Sequence, residues 1–361
     1  MRRVRGFSLV ELMVAITLAL IVTAGVISVF VGSRSTYNAT AGTAELTDGG
    51  RFALKFISDS LRSAGYLSCT TAPLVSQGTL NPPAPGALAY NFNKQLGGFE
   101  ANNTGVGKAF AVVAPPVAAD GNNADWTGGL DPLLTGLPLQ NSDVLVVRST
   151  VPNAQPAYVQ TINPGANQFT VSNQASLQSG QLAVISDCAF GVVFQITGVA
   201  PGTPATITHN AGGGTPGNFT TIFPLDFSPG ALVTPVDTFI YYIGVGADGD
   251  GALFVYSSNA TGNFTLPQEL VPDIEAMQVL YGIDTNTSNT VTQYLPANLV
   301  PDFDAVMSVK VALLAASAPG AGHHAIAGTT YNLLGTTVAV PADTRSRQVF
   351  EETIALRNAL N

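Results

Sequence analysis

Few side chains in this sequence stand in patterns that would catalyse a reaction or hold an ion. The clearest stand at its start, in "RRVRGFSLVELMVAITLALIVTAGVISVFVG". Arg2, Arg3 and Arg5 precede Gly6 and Phe7, and from Phe7 to Val31 the one formal charge is Glu11. An ionised acid at mid-membrane costs about 2.5–3.5 kcal/mol, and such acids are functional by default. Glu11 therefore reads as a charge awaiting a partner from another molecule. The plain alternative is an anchor whose edge acid reaches the interface. A second candidate is "GADGDGALF": Asp248 and Asp250 have the D-x-D-G spacing that opens a calcium loop. The position where such a loop needs a bidentate Glu is Asn259, so a hairpin turn is the first reading and calcium the weaker one. "DTNTS" from Asp284 carries the same ambiguity. His209 falls at a strand end, and His323-His324 in "GAGHHAIAG" reads as solvated loop rather than a metal or pH site. Tyr241, Tyr242, Tyr256 and Tyr281 could line a ligand face, but in strand patterns they are first read as core or cross-strand pairs. GxSxG, HExxH and GxxxxGK[ST] are all absent, so catalysis is not expected.

The element that must position Glu11 is a helix. The apolar run is long enough for a bilayer core, which takes roughly 20 residues. The basic residues before it place the N-terminus in the cytoplasm and the rest outside. A secretory signal is the runner-up, with Ala39-Thr40-Ala41 as a small-x-small site, but the run exceeds the usual signal core. The helical pattern continues to about residue 64 and turns amphipathic. Phe52 and Phe56, Ile57 and Leu61, with Leu54, form a stripe suited to packing on a sheet. Gly49-Gly50 weakens the middle and suggests a bend, and Gly65 is a fitting stop. About 58 residues span roughly 87 Å, a length that a filament core needs and a compact domain does not.

The 361 residues are 46% hydrophobic, enough for a sizeable core, and only 10% charged, against the usual quarter or so. The net charge is −9. Loss of the first three Arg takes the side-chain sum to −12, which argues against nucleic acid. Cys69 and Cys188 are the two cysteines. Outside the cytoplasm an even count suggests a disulfide. It would close a loop of roughly 120 residues, stabilising by about 4–5 kcal/mol in the chain-entropy model. Two buried thiols are the other reading. No CxxC or Cys/His cluster points to zinc. Residues 66–140, with "NPPAPGALAYN" and Trp126, read as irregular loop with short strands. From 141 onward extended segments dominate: "SDVLVVRST", "NQFTVS", "GQLAVISDCAFGVVFQITGVA", "ATITHN", and a hairpin at "DTFIYYIGVGADGDGALFVYSS". "EAMQVLYGID", "FDAVMSVKVALLAAS" and "RQVFEETIALRN" follow. The class is α+β, a mainly antiparallel sheet packed on the back half of the helix.

"GFSLVELMVAITL" resembles the prepilin peptidase motif of type IV pilins and type II secretion pseudopilins. The resemblance implies a leader over residues 1–6 cut after Gly6, an N-methylated mature Phe7, and a retained Glu11. It implies the type IV pilin-like fold: a helix over 7–65, with 7–32 as transmembrane segment and filament core, a variable region over 66–140 and a β-rich domain over 141–361. Ser28 stands where many major pilins have a kinking proline. "SDVLVVR", "ISDCAFGVVFQIT", "FIYYIG", "LVPDIEAMQVLYGID", "VMSVKVALLAAS" and "VFEETIALRN" resemble, in that order, the PilW-type minor pilins. The expectation is a minor pilin of the bacterial inner membrane, its C-terminal domain periplasmic, which helps to start pilus assembly in a tip complex and then reaches the cell surface. Expected partners are prepilin peptidase, other minor and major pilins and the assembly machinery, with no nucleic acid and no cofactor beyond the weak calcium reading, since some pseudopilins bind calcium. The positive amine at Phe7 would pair with Glu11 of a neighbouring subunit. Two alternatives stand beside this: a tip adhesin using loop 66–140, and a type II secretion pseudopilin.

Overall fold

The computed structural model describes residues 8–71, 75–76, 79–81, 87–121, 124–163, 165–212, 214–258, 263–264, 266–286, 290–321 and 329–359. A single helix, Leu9–Arg62, runs unbroken through Ser28 for 54 residues, about 81 Å. It ends as the sequence suggests: Ser63 caps it, and Gly65 follows with φ +73° and its amide on the Arg148 carbonyl. Burial starts only at Gly42 and then follows Leu46, Gly50, Ala53, Leu54, Ile57, Ser58 and Leu61.

That buried line corrects the expected stripe. Ile57 and Leu61 are fully buried, but Phe52 and Phe56 are 58% and 44% exposed. Gly50 supplies the reason. A Cβ there would lie 2.2 Å from the Phe350 ring, so the helix rests directly on strand Arg347–Ala355 through Gly50. The close approach turns the Gly50–Ala53–Ile57 line inward and both phenylalanines out. Gly49-Gly50, expected as a bend, thus includes a contact point inside a continuous helix. Gly42 does the same against Ala321, where a Cβ would also meet an atom at 2.2 Å.

Beneath the helix lies an antiparallel sheet in the order Gln293–Leu295, Ile274–Ile283, Val306–Ala316, Arg347–Ala355. Alternation sends Val309, Val311 and Leu313 into one core with Met277, Val279, Tyr281, Phe350 and Ile354 and with the helix residues above them. Glu352 at the sheet edge accepts from Ser58 Oγ and Arg62, each at 3.0 Å.

A larger sheet is organised by the long strand Leu232–Val245. Its first residues pair with Ala157–Ile162 and Leu182–Ser186. From Val236 onward it pairs with Val144–Thr150, and its later part also with Gly251–Tyr256. Pro235, which has no N–H to give, sits where the partner changes. The first half closes a second core around Phe169, Ile185, Phe194, Ile207 and Val233. A small sheet joins Thr330–Leu333, Thr336–Ala339 and Ala109–Ala111. Tyr241, Tyr242, Tyr256 and Tyr281 are all buried, in agreement with the core reading.

Residues 66–140 are loop-rich, but they are built into the domain. Leu96–Phe99 pairs with Val144–Thr150. Phe92, Leu96, Trp126 and Leu134 are buried at 0–1% exposure, and Trp126 Nε1 donates to the Ser142 carbonyl at 3.2 Å. The buried Arg148 guanidinium donates to the carbonyls of Leu88, Lys94 and Leu96. These bonds offset part of the cost of burying that charge, while its Nε has no partner among the described residues. Cys69 and Cys188 form a disulfide, tying the turn after the helix to the turn between Leu182–Ser186 and Gly191–Gln195.

Candidate functional site

The candidate site is the free half of the helix. Its most apolar window has a mean hydropathy of 2.7 and none of it is buried. Leu9, Ile21, Val29 and Phe30 are all more than 60% exposed. By length and composition this is the one described helix able to cross a membrane. Polar side chains within it are satisfied locally: Thr17 and Thr23 hydroxyls donate back to the carbonyls of Met13 and Ala19. That bonding removes two donors that hydrocarbon would not solvate.

Glu11 has a partner in its own chain. Ser8 is the N-cap, and its backbone N–H donates to Glu11 Oε2 at 3.1 Å while its Oγ takes the Val10 amide at 3.3 Å. With the Ser8 hydroxyl also taking the amide of the third helical residue, this is a capping box. "SLVE" carries the S-x-x-E signature of that box, an intrachain role that neither the intersubunit nor the interface reading of Glu11 included. The acid also suits the positive end of the helix dipole. Gly6 and Phe7, the expected cleavage and methylation residues, lie outside the described residues, as do His323 and His324.

Asp248 and Asp250 close a hairpin turn, where Asp248 Oδ1 accepts the Asp250 amide at 3.0 Å. The fold brings Asp273 to them, with carboxylate oxygens of all three within 4.8 Å of one another. Arg345 bonds Asp250 and, at 2.8 Å, Asp273. Burial raises the Asp273 carboxyl and the Arg345 charge pulls it back. The turn reading accounts for the placement of Asp248 and Asp250. Arg345 and Asp273 had no local signal, being 72 residues apart. Asp284 likewise closes a turn, accepting the Asn286 amide at 2.9 Å. His209 is a core residue, 1% exposed and stacked on Phe223 at 4.4 Å, and burial depresses its pKa to about 4.

Comparison with known proteins bears on this helix and on the sheet beneath it. Residues 240–358 match the family described as Type IV Pilus-assembly protein W. Residues 1–27 match the Prokaryotic N-terminal methylation motif. No curated protein matches. Among solved structures, a type IV-like pilin from Thermus thermophilus aligns at 20% identity and a TM-score of 0.23, over 51% of this chain and 86% of that one. The chain is thus similar to type IV pilus proteins in two segments, the methylation motif at its start and the PilW-type region near its end.

Proposed function

We propose that this chain is a prepilin, cut after Gly6 by prepilin peptidase, methylated on Phe7 and held in the inner membrane by its apolar half-helix. The domain then lies on the periplasmic side until the subunit enters a pilus as a minor pilin of the complex that starts assembly. One observation carries the reading. The helix is 54 residues long, its first half is bare and its second half is packed into the domain. An anchor alone needs roughly 20 residues and no rigid continuation. An unbroken rod fixes the domain to the apolar segment, as packing of rods side by side requires.

Glu11 supports the same reading. In a lone subunit its carboxylate caps Ser8. In a filament it is placed to exchange that amide for the Phe7 amine of a neighbour, because either charge alone is poorly solvated there. The test is the intact mass and N-terminal sequence of the protein from native membranes. Methylated Phe7 at the start is the expected result. A chain starting after Ala41, or retaining Met1, overturns the proposal. For the pairing, Glu11→Gln subunits should enter filaments poorly, and normal incorporation removes Glu11 from that role.

A further inference from the structure

Ala109–Ala111 is one of the two outer strands of the small sheet, paired in parallel with Thr336–Ala339 and with no other strand among the described residues. The Lys108 carbonyl and the Val112 amide are bonded to that partner strand. Alternation along an extended chain therefore turns the backbone groups of Ala109, Ala111 and Val113 to the opposite edge. Ala109 and Ala111 are exposed, and Val113 and Val117 are 54% and 64% exposed. Open edges of this kind are ordinarily covered, charged or interrupted, because they pair readily with another chain.

The same segment walls a cleft. Residues 110 to 114 share its lining with Asp250, Glu275, Asp343, Arg345 and Arg347. The ion network there is layered. Arg347 bonds Glu275 and Asp343, and Arg345 bonds Asp250 and Asp273. The guanidiniums lie beneath, at 10% and 1% side-chain exposure, while Asp250 and Asp343 reach the surface at 36% and 29%. Four carboxylates against two guanidiniums leave the network at −2. The lining of the cleft thus combines surface carboxylates with residues of the strand whose outer edge is unpaired among the described residues.

We propose that this cleft takes an extended segment of a partner protein, added as a strand along Ala109–Val113, with a Lys or Arg side chain on the carboxylates of Asp250 and Asp343. Main-chain hydrogen bonds to an edge supply affinity, and the pocket beside it supplies the choice of side chain. The charge requirement makes the segment basic and apolar, which an acidic chain of this composition seldom offers to itself. The inference does not depend on the pilus reading.

The experiment is binding of a short labelled peptide of alternating Val and Thr with one Lys to the full-length protein in detergent. The comparisons are the same peptide with Glu for Lys, and with alternate backbone nitrogens methylated. Ala111→Pro is the protein variant, since it removes only an outward N–H and leaves the inner ladder intact. Saturable binding of the Lys peptide is expected, weaker by about tenfold or more with the Glu peptide, the methylated peptide or the Ala111→Pro protein. Added salt should weaken it further. Equal binding of the Lys and Glu peptides, undiminished binding to Ala111→Pro, or no saturable binding of the Lys peptide overturns the proposal. If Ala111→Pro fails to melt cooperatively, the methylated peptide on the natural protein decides alone, and equal binding of it rejects strand addition.

Discussion

Glu100 gives the sharpest quantitative test of how the interior is held. Its side chain is buried at 5% exposure, near Asp143 at 2%. Asp143 is well partnered, taking the amides of Ala101 at 3.0 Å and Val279 at 2.8 Å. Glu100 takes the Thr104 hydroxyl at 3.1 Å. Burial pushes the Glu100 carboxyl up to about 7, with the Thr104 hydroxyl and the Ala297 amide pulling it back. Burial first, and the Glu100 charge second, hold Asp143 well above the usual carboxylate range. A carboxyl with a raised folded pKa keeps its proton in the folded chain where the unfolded chain has released it. Its contribution is therefore intact below pH 4.5, falls as pH rises, and levels off above about pH 7. A displacement from 4.5 to 7 corresponds to about 3 kcal/mol. Glu100→Gln keeps the shape and the acceptor for Thr104 but cannot titrate. Urea unfolding of the full chain in detergent, from about pH 5 to about pH 8, should show the variant gaining on the natural protein by about 2–3 kcal/mol as pH rises. Any constant cost of the amide cancels in that trend. A flat difference, or one that shrinks with pH, would show that Glu100 is already ionised in the fold and refute the reasoning.

His209 works in the opposite sense. With its folded pKa near 4 against 6.5, stability is lost as pH falls between those values, by up to about 3 kcal/mol. His209→Phe should gain on the natural protein over that acid range in the same unfolding assay, and a pH-independent difference would be the contrary result. Leu61→Ala empties a fully buried position and should cost about 2–5 kcal/mol. Phe56→Ala, at 44% exposure, should cost about 1 kcal/mol or less in a lone subunit, and comparable losses would mean that Phe56 belongs to the core after all. Replacing both cysteines by Ser opens a link across 119 residues. It should lower stability by up to about 5 kcal/mol in the chain-entropy model, seen as a drop in the urea midpoint that reduction of the natural protein reproduces.

Much of the architecture was legible because its signals are local. A long apolar run, a change to amphipathic period, Gly65 as a stop and the Asp-Gly hairpin each need only a few neighbouring residues, and all match the fold. Two cysteines left a single intrachain pairing to consider. What failed was anything set by contact across the chain. The helical period fixed the width of the buried face but could not say on which side of it Phe52 and Phe56 fall, because that depends on Gly50 meeting Phe350. Composition marked 66–140 as loop, correctly for its backbone, yet could not show Trp126 and Arg148 binding it into the core. The strand Ala157–Ile162 and the hairpin from Thr330 to Ala339 were missed, each strand being only four to six residues long.

The same division separates the two surfaces that matter for partners. The apolar half-helix announces itself in sequence because some 20 predominantly apolar residues break the rule that a soluble chain alternates them with polar ones. The open edge at Ala109–Ala111 does not, because edge status belongs to the sheet and not to the strand. Nothing in "KAFAVVAPP" says that Thr336–Ala339, some 227 residues later, will cover one side and leave the other bare. Nor does that segment foretell that Asp250 and Asp343 will line the same cleft. A surface built by topology carries its signal only in the assembled fold, so such edges, rather than motif-bearing termini, are where unassigned contacts of pilin-like domains should be sought.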